Sequence, residues 1–321
     1  MPITVVGSIA YDTVKTPFGE RQRMLGGAAV HFALAASFFD TVHVVGPVGE
    51  DFGEEQLEVL RARGVNTTDI ERVAGGKTFF WHGEYGWDLN TRETIDTQLG
   101  VFEGFEPKLS EASRASDVLF LANIQPDLQS RVRAQMPDAR FVALDSMNLW
   151  IDIARDSLLA AIRGVDCLIL NDAELRQLTG KPNLVAAARE VLSWGEQGSD
   201  GGLRPPSVIV AKQGEYGAAL VTREAFFALP AYPLENVVDP TGAGDTFAGG
   251  LVGYIAAHPG EEIDDDLLRR AMAHAAVLAS FNVEEFGTER VSRLSGREIV
   301  ARISELHAMT QFSGAPLALR G

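Results

Sequence analysis

Short apolar runs recur along the chain: ITVVGSIA near the start, then TVHVVGPVG, VLFLAN, FVALDS, VDCLILND and VIVAKQG. Each has strand length, and the segments between most of them carry helical spacing, as in GEEQLEVLRARG, where Gly64 is a natural stop. A chain that alternates this way has few options. Strands that are apolar on both faces must be covered on both, and successive parallel strands need helical crossovers, so the pattern predicts a mostly parallel sheet between helical layers. With 321 residues, 46% of them hydrophobic, there is ample material for one large core.

Charge and cysteine content narrow the function classes. Lys and Arg total 28 against 44 Asp and Glu, for a net charge of -16, which argues against a nucleic-acid partner. The single cysteine, Cys167, lies inside an apolar run, so neither a disulfide framework nor a cysteine-based zinc site is expected within the chain. No run reaches membrane-spanning length, no basic segment precedes an apolar one at the start, and a cytoplasmic protein without a membrane partner is expected.

The densest chemistry falls in residues 237–250, VVDPTGAGDTFAGG. An apolar strand end meets Asp239 and Pro240, a small-residue turn follows through Gly242, Ala243 and Gly244, and Asp245 precedes an apolar helix. Orphan N–H groups and the macrodipole at a helix start favour an anion. A lone Asp before an apolar run ordinarily caps the helix, but a cap has no need of glycines on both sides of Ala243. Phosphate does, because it must approach the backbone closely. Exposed amides beside a carboxylate able to take a hydroxyl proton are what phosphoryl transfer requires. Competing motifs are missing: there is no G-x-x-x-x-G-K-[ST] loop, no G-x-G-x-x-G after the first strand and no G-x-S-x-G elbow.

TGAGD resembles the signature of the ribokinase-like (PfkB) carbohydrate and nucleoside kinases, and weaker similarities run in the same order from Asp12 to about Gly287. The resemblance implies a ribokinase-like three-layer α/β/α sandwich with a small β-sheet lid. One kinase domain would span residues 1–310, with lid segments around 11–25 and 73–105, followed by a tail at 311–321. By position, Asp245 would be the base that activates the acceptor hydroxyl, and Gly242, Ala243 and Gly244 the anion hole for the transferred phosphoryl group.

Other elements gain meaning from the same resemblance. Asp12 lies just past the first strand, where ligands of α/β sheets gather; it would hold acceptor hydroxyls. Gly26 and Gly27 would let the backbone approach the acceptor, and His31 stands where relatives usually carry an Asn that touches it. A lone His on an apolar helix face is otherwise a core residue. LILNDAELRQLTG matches an Asn-x-x-Glu element, placing Asn171 and Glu174 near the phosphates, with Glu174 reaching magnesium through water; read without the resemblance, these residues make a good helix start. Lys212 would face the phosphates, Gly214 and Gly217 would border the ATP, and Thr241 would lie beside it. Backbone carbonyls near Asp239, Thr241 and Gly287 would hold a monovalent cation such as K+. Asn123 and Asp145, each just after an apolar run, are candidates for the rim.

Residues 73–105 are rich in aromatics, Gly and Thr. Phe79, Phe80, Trp81, Tyr85 and Trp87 could stack on a base or a sugar, or simply pack a small sheet. The expected activity is ATP-dependent phosphorylation of a primary hydroxyl of a sugar, the family-wide default, with Mg2+ accompanying the ATP. The alternative acceptor is a nucleoside, since the proline in VDPTGAGD and the stretch ASFNVEEFG look like nucleoside kinases. A non-catalytic sensor of sugars or nucleosides is the more distant alternative; retention of Asp245 with the glycine turn argues against it. A homodimer sharing the lid is compatible with the resemblance.

Overall fold

A computed structural model describes residues 1–194, 205–312 and 314. Most of the loop expected at SWGEQGSDGGLRPPS and most of the expected tail lie outside the described residues. Among those described, the strands are β1 (Ile3–Val6), β2 (Ala10–Thr16), β3 (Gly19–Gly26), β4 (Val42–Gly49), β5 (Ile70–Val73), β6 (Phe79–Tyr85), β7 (Arg92–Gln98), β8 (Val118–Leu121), β9 (Phe141–Asp145), β10 (Cys167–Asn171), β11 (Val208–Lys212), β12 (Ala218–Val221) and β13 (Phe226–Leu229).

Nine strands form the main sheet in the order β13-β12-β11-β10-β9-β8-β1-β4-β5. From β11 to β5 neighbouring strands are parallel, as the alternation predicts, whereas β12 and β13 fold back antiparallel as an edge hairpin. Period-two side-chain direction splits each strand between two cores. Ile3 and Val5 join Phe32, Val44 and Phe120 on one face, while Val6, Leu119, Leu121 and Val142 pack on the other. Phe32 and Phe120 stack with centroids 4.2 Å apart. Burying each such side chain contributes about 1.5–3 kcal/mol, which is why strands this short stay in place.

The helix Ala243–Ala256 lies against the helices Ala28–Ala36 and Asp265–Asn282. Its glycines explain the close approach: a Cβ on Gly249 would come within 2.4 Å of the Phe32 carbonyl oxygen, and one on Gly250 within 2.8 Å of the Ala275 Cα. A separate four-stranded sheet, ordered β3-β2-β6-β7, stands beside the main one. Among the described residues, no helix is long and apolar enough to cross a membrane.

Candidate active site

Parallel strands deliver their last residues to one edge, and at β1 the order reverses, with β8 on one side and β4 on the other. Crevices at such edges are where α/β sheets bind ligands. Here β9 ends in Asp145, β10 in Asn171 and β11 in Lys212.

The glycine turn faces this edge. Gly242 is the N-cap of the helix Ala243–Ala256, with φ 75° and ψ 0°. No other residue type suits it, because a Cβ there would also meet the His31 ring at 2.3 Å. Thr246 N–H donates to the Gly242 carbonyl at 2.8 Å, and Ala243 N–H turns back to Pro240 O at 3.2 Å. Ala243 is therefore the member of the expected anion hole whose amide already has a partner. Asp245 sits in the first helical turn, half-buried, with its pKa pushed up to about 7; burial is the main cause, the Asp145 charge adds to it, and Lys212 and Arg92 oppose it. A carboxylate poised there can accept a proton near neutral pH.

Lys212 reaches in from the main sheet. Its ammonium lies 3.0 Å from the Asp145 carboxylate and 3.0 Å from where a Cβ on Gly244 would begin. Burial works against its charge, but Asp145, Glu174 and Asp245 together more than compensate and raise its pKa. Asn171 and Glu174 make a reciprocal capping box: Asn171 Oδ1 accepts from Glu174 N–H at 2.7 Å, and Glu174 Oε2 accepts from Asn171 N–H at 2.9 Å. Burial lifts the Glu174 pKa to about 7, partly offset by Lys212. With one carboxylate oxygen committed to the cap, the other can still bind a water. Among the described residues no group of three His, Cys, Asp or Glu could ligate a metal directly. The donor set thus fits a hydrated ion held through water better than a direct ligand cage.

Asp12, on β2, is 6% exposed. Its pKa is also pushed up to about 7, by burial first and then by Asp239, with Asp245 adding to it, while the Gly27 N–H hydrogen bond lowers it. A Cβ on Gly26 would sit 1.9 Å from Asp12 Oδ2, so that glycine leaves room for the carboxylate itself. Asp239 ties the turn to a distant loop, accepting from Thr241 N–H at 2.8 Å and from Gly287 N–H at 2.9 Å. The Thr241 carbonyl, expected to face a cation, accepts from Asn282 Nδ2 at 2.7 Å. Gly214 and Gly217 both have positive φ, the first opening and the second capping a short 3-10 turn between β11 and β12.

His31 is 2% exposed, with its ring beneath Gly242. Its Nδ1 lies 3.2 Å from Asn282 Oδ1, while buried Nε2 has no protein partner. Burial depresses its pKa to about 4, so it is neutral. Asn123 Oδ1 accepts from Trp150 Nε1 at 3.0 Å, a structural role at the rim.

The small sheet brings in Tyr85 and Trp81, two of the aromatic residues expected either to stack on a ligand or to pack the sheet, and Arg92, which sequence reasoning passed over. Tyr85 on β6 pairs its hydroxyl with Thr241 Oγ1 at 3.2 Å, fixing that face of the sheet toward the turn. Trp81 shares the face, since it is the bridge partner of Asp12, and its indole spreads over Gly83, where a Cβ would meet the ring at 2.0 Å. Arg92 on β7 acts electrostatically on both Asp245 and Glu174, and its guanidinium carbon lies 5.4 Å from the Trp81 ring centre. Arg92 sits in no motif, and Asn282 lies within the ASFNVEEFG stretch without having been singled out; their three-dimensional position is what exposes both.

Comparison with known proteins is consistent with this geometry. The pfkB family carbohydrate kinase profile matches residues 3–293. A cytidine kinase of Thermococcus kodakarensis is 30% identical over 271 residues, covering 82% of this chain and 91% of that protein. A Burkholderia thailandensis nucleoside kinase in complex with ADP-inosine superposes with a TM-score of 0.75 at 18% identity, covering 95% of this chain and 96% of that one. A Vibrio cholerae fructokinase with fructose, ADP and calcium bound gives 0.74 at 15% identity, covering 94% and 98%. At such identities the structural likenesses establish the fold.

Proposed function

The chain belongs to the pfkB family of carbohydrate kinases, phosphotransferases acting on a sugar or nucleoside hydroxyl, and from that premise we propose that it transfers the γ-phosphoryl group of ATP to a primary hydroxyl of a nucleoside. The observation that carries the reading is that Asp245 sits in the first turn of the helix that Gly242 caps, where the Lys212 ammonium abuts Gly244, the charges of Lys212 and Arg92 act on Asp245, and Asp245 in turn acts on Asp12. In this reading Asp245 takes the hydroxyl proton as the oxygen attacks phosphorus. The amides of Gly242 and Gly244 and the charges of Lys212 and Arg92 stabilise the phosphoryl oxygens, and ADP leaves. Asp12 orients the acceptor with Gly26 and Gly27 at its back, while Gly214 and Gly217 border the nucleotide. Glu174 and Asn171 are the residues that would hold, through water, a magnesium ion arriving with ATP, and such an ion would supply neutralisation of phosphate charge.

Trp81 supports a nucleoside in preference to a plain sugar. Its indole lies on the same sheet face as Asp12, where a base joined to a bound ribose can stack. The similarity to a cytidine kinase points the same way. A plain sugar held by Asp12 alone is the second reading, kept open by the fructokinase likeness.

The test is ADP release from Mg-ATP across a panel of nucleosides and sugars, with Asp245→Asn as the blank. Turnover of a nucleoside that the variant loses supports the reading. Turnover of sugars alone removes the nucleoside, and ligand binding with no turnover in the wild type makes the protein a sensor.

A further inference from the structure

Asn282 ends the helix Asp265–Asn282 and is fully buried, yet its side chain reaches three separate pieces of chain. Nδ2 donates to the Thr241 carbonyl at 2.7 Å; Oδ1 accepts from the Thr246 hydroxyl at 3.0 Å and lies 3.2 Å from His31 Nδ1. Thr241 immediately precedes Gly242, and Thr246 immediately follows Asp245. One amide group thus grips both flanks of the segment that carries the anion-hole amides and the base. Because Oδ1 can only accept, His31 must carry its proton on Nδ1, which fixes the ring as the floor under Gly242.

The grip is itself held. Phe281, the preceding residue, packs under the guanidinium of Arg302 at 3.5 Å and that of Arg290 at 4.8 Å, and both arginines pair with Glu284, at 2.6 Å and 2.8 Å. A buried amide locked into three hydrogen bonds is costly to leave half-satisfied, so the arrangement favours a single geometry of the turn.

We propose that Asn282 is a positioning residue for phosphoryl transfer, holding Gly242–Asp245 in register for the reaction through Thr241, Thr246 and the His31 ring. The inference rests on the kinase reading above. A turn displaced by even 1 Å would leave ligands bound but misplace base and amides, a fault that costs about a hundredfold in rate.

The experiment compares Asn282→Asp, Thr246→Val and Thr246→Ser with wild type for kcat, for KM of acceptor and ATP, and for melting temperature. Thr246→Val is the milder probe should Asn282→Asp fold poorly. Expected are a tenfold to hundredfold fall in kcat for Asn282→Asp and Thr246→Val, both KM values within threefold of wild type, and recovery in Thr246→Ser, which restores the hydroxyl. Unchanged kcat in folded Thr246→Val, raised KM at constant kcat, or a loss in Thr246→Ser equal to that in Thr246→Val overturns the proposal while leaving the kinase reading intact. Absence of turnover in the wild type with every acceptor overturns both.

Discussion

Lys212 and Asp145 form a largely buried ion pair, 3.0 Å apart, whose ammonium also abuts Gly244. The pair holds a cation beside the glycine turn in a chain of strongly acidic composition. Such a buried pair is easily unbalanced by removing one partner. Lys212→Met should lower kcat/KM for ATP by about a hundredfold or more, and Asp145→Asn should do so more weakly. Steady-state kinetics with ATP varied measure both.

Asp245→Asn should abolish turnover by about a hundredfold to ten-thousandfold and at the same time stabilise the ligand-free protein at pH 8. Asp12, Asp245 and Glu174 all have folded pKa values raised to about 7, from 3.8 for the aspartates and 4.5 for Glu174. Between those limits the native state binds more protons than the unfolded state, so their stabilising contribution is complete below about pH 4 and lost as pH rises through 7. Thermal melts of wild type should therefore fall from pH 5 to pH 8, and the variant should fall less.

The same shifts set the rate profile. The kcat/KM for the acceptor should rise with pH through about 7 as Asp245 ionises, and more steeply than one ionisation allows, because Asp12 titrates in the same range. A log–log slope of one or less on the acid side would remove Asp12 from the ionisations that matter.

Gly242→Ala should be severely damaging. It forces a left-handed backbone on a residue with a side chain and drives the added methyl into the His31 ring. Loss of about a hundredfold in kcat is expected, together with a lower melting temperature, whereas an alanine at Gly260, where no atom lies within 4 Å, should cost only its backbone strain.

Replacing Trp81 by Ala should raise KM for a nucleoside by about tenfold, the worth of one stacked base, and leave any residual sugar phosphorylation unaltered. Equal losses on both acceptors would mean that Trp81 serves only the packing of the small sheet.

The alternation of apolar runs with helical spacing was enough to specify the layered architecture, because strand and helix periods are local properties of a few residues. The antiparallel β12–β13 edge was not legible, since a short apolar run reads alike in either direction. TGAGD could be read as an anion-binding turn from its glycines and its carboxylate alone. What surrounds that turn was decided elsewhere. His31 and Asn282 meet across 251 positions of sequence, Tyr85 and Thr241 across 156, and neither pairing leaves a spacing that one chain can display. Single polar residues such as Arg92 or Asn282 carry no period and look like any solvated side chain until the fold brings them to the turn. The pKa values of Asp12 and Asp245 follow the same rule: composition supplies the carboxyl groups, but only burial and the company of other charges in the folded chain lift them toward neutrality.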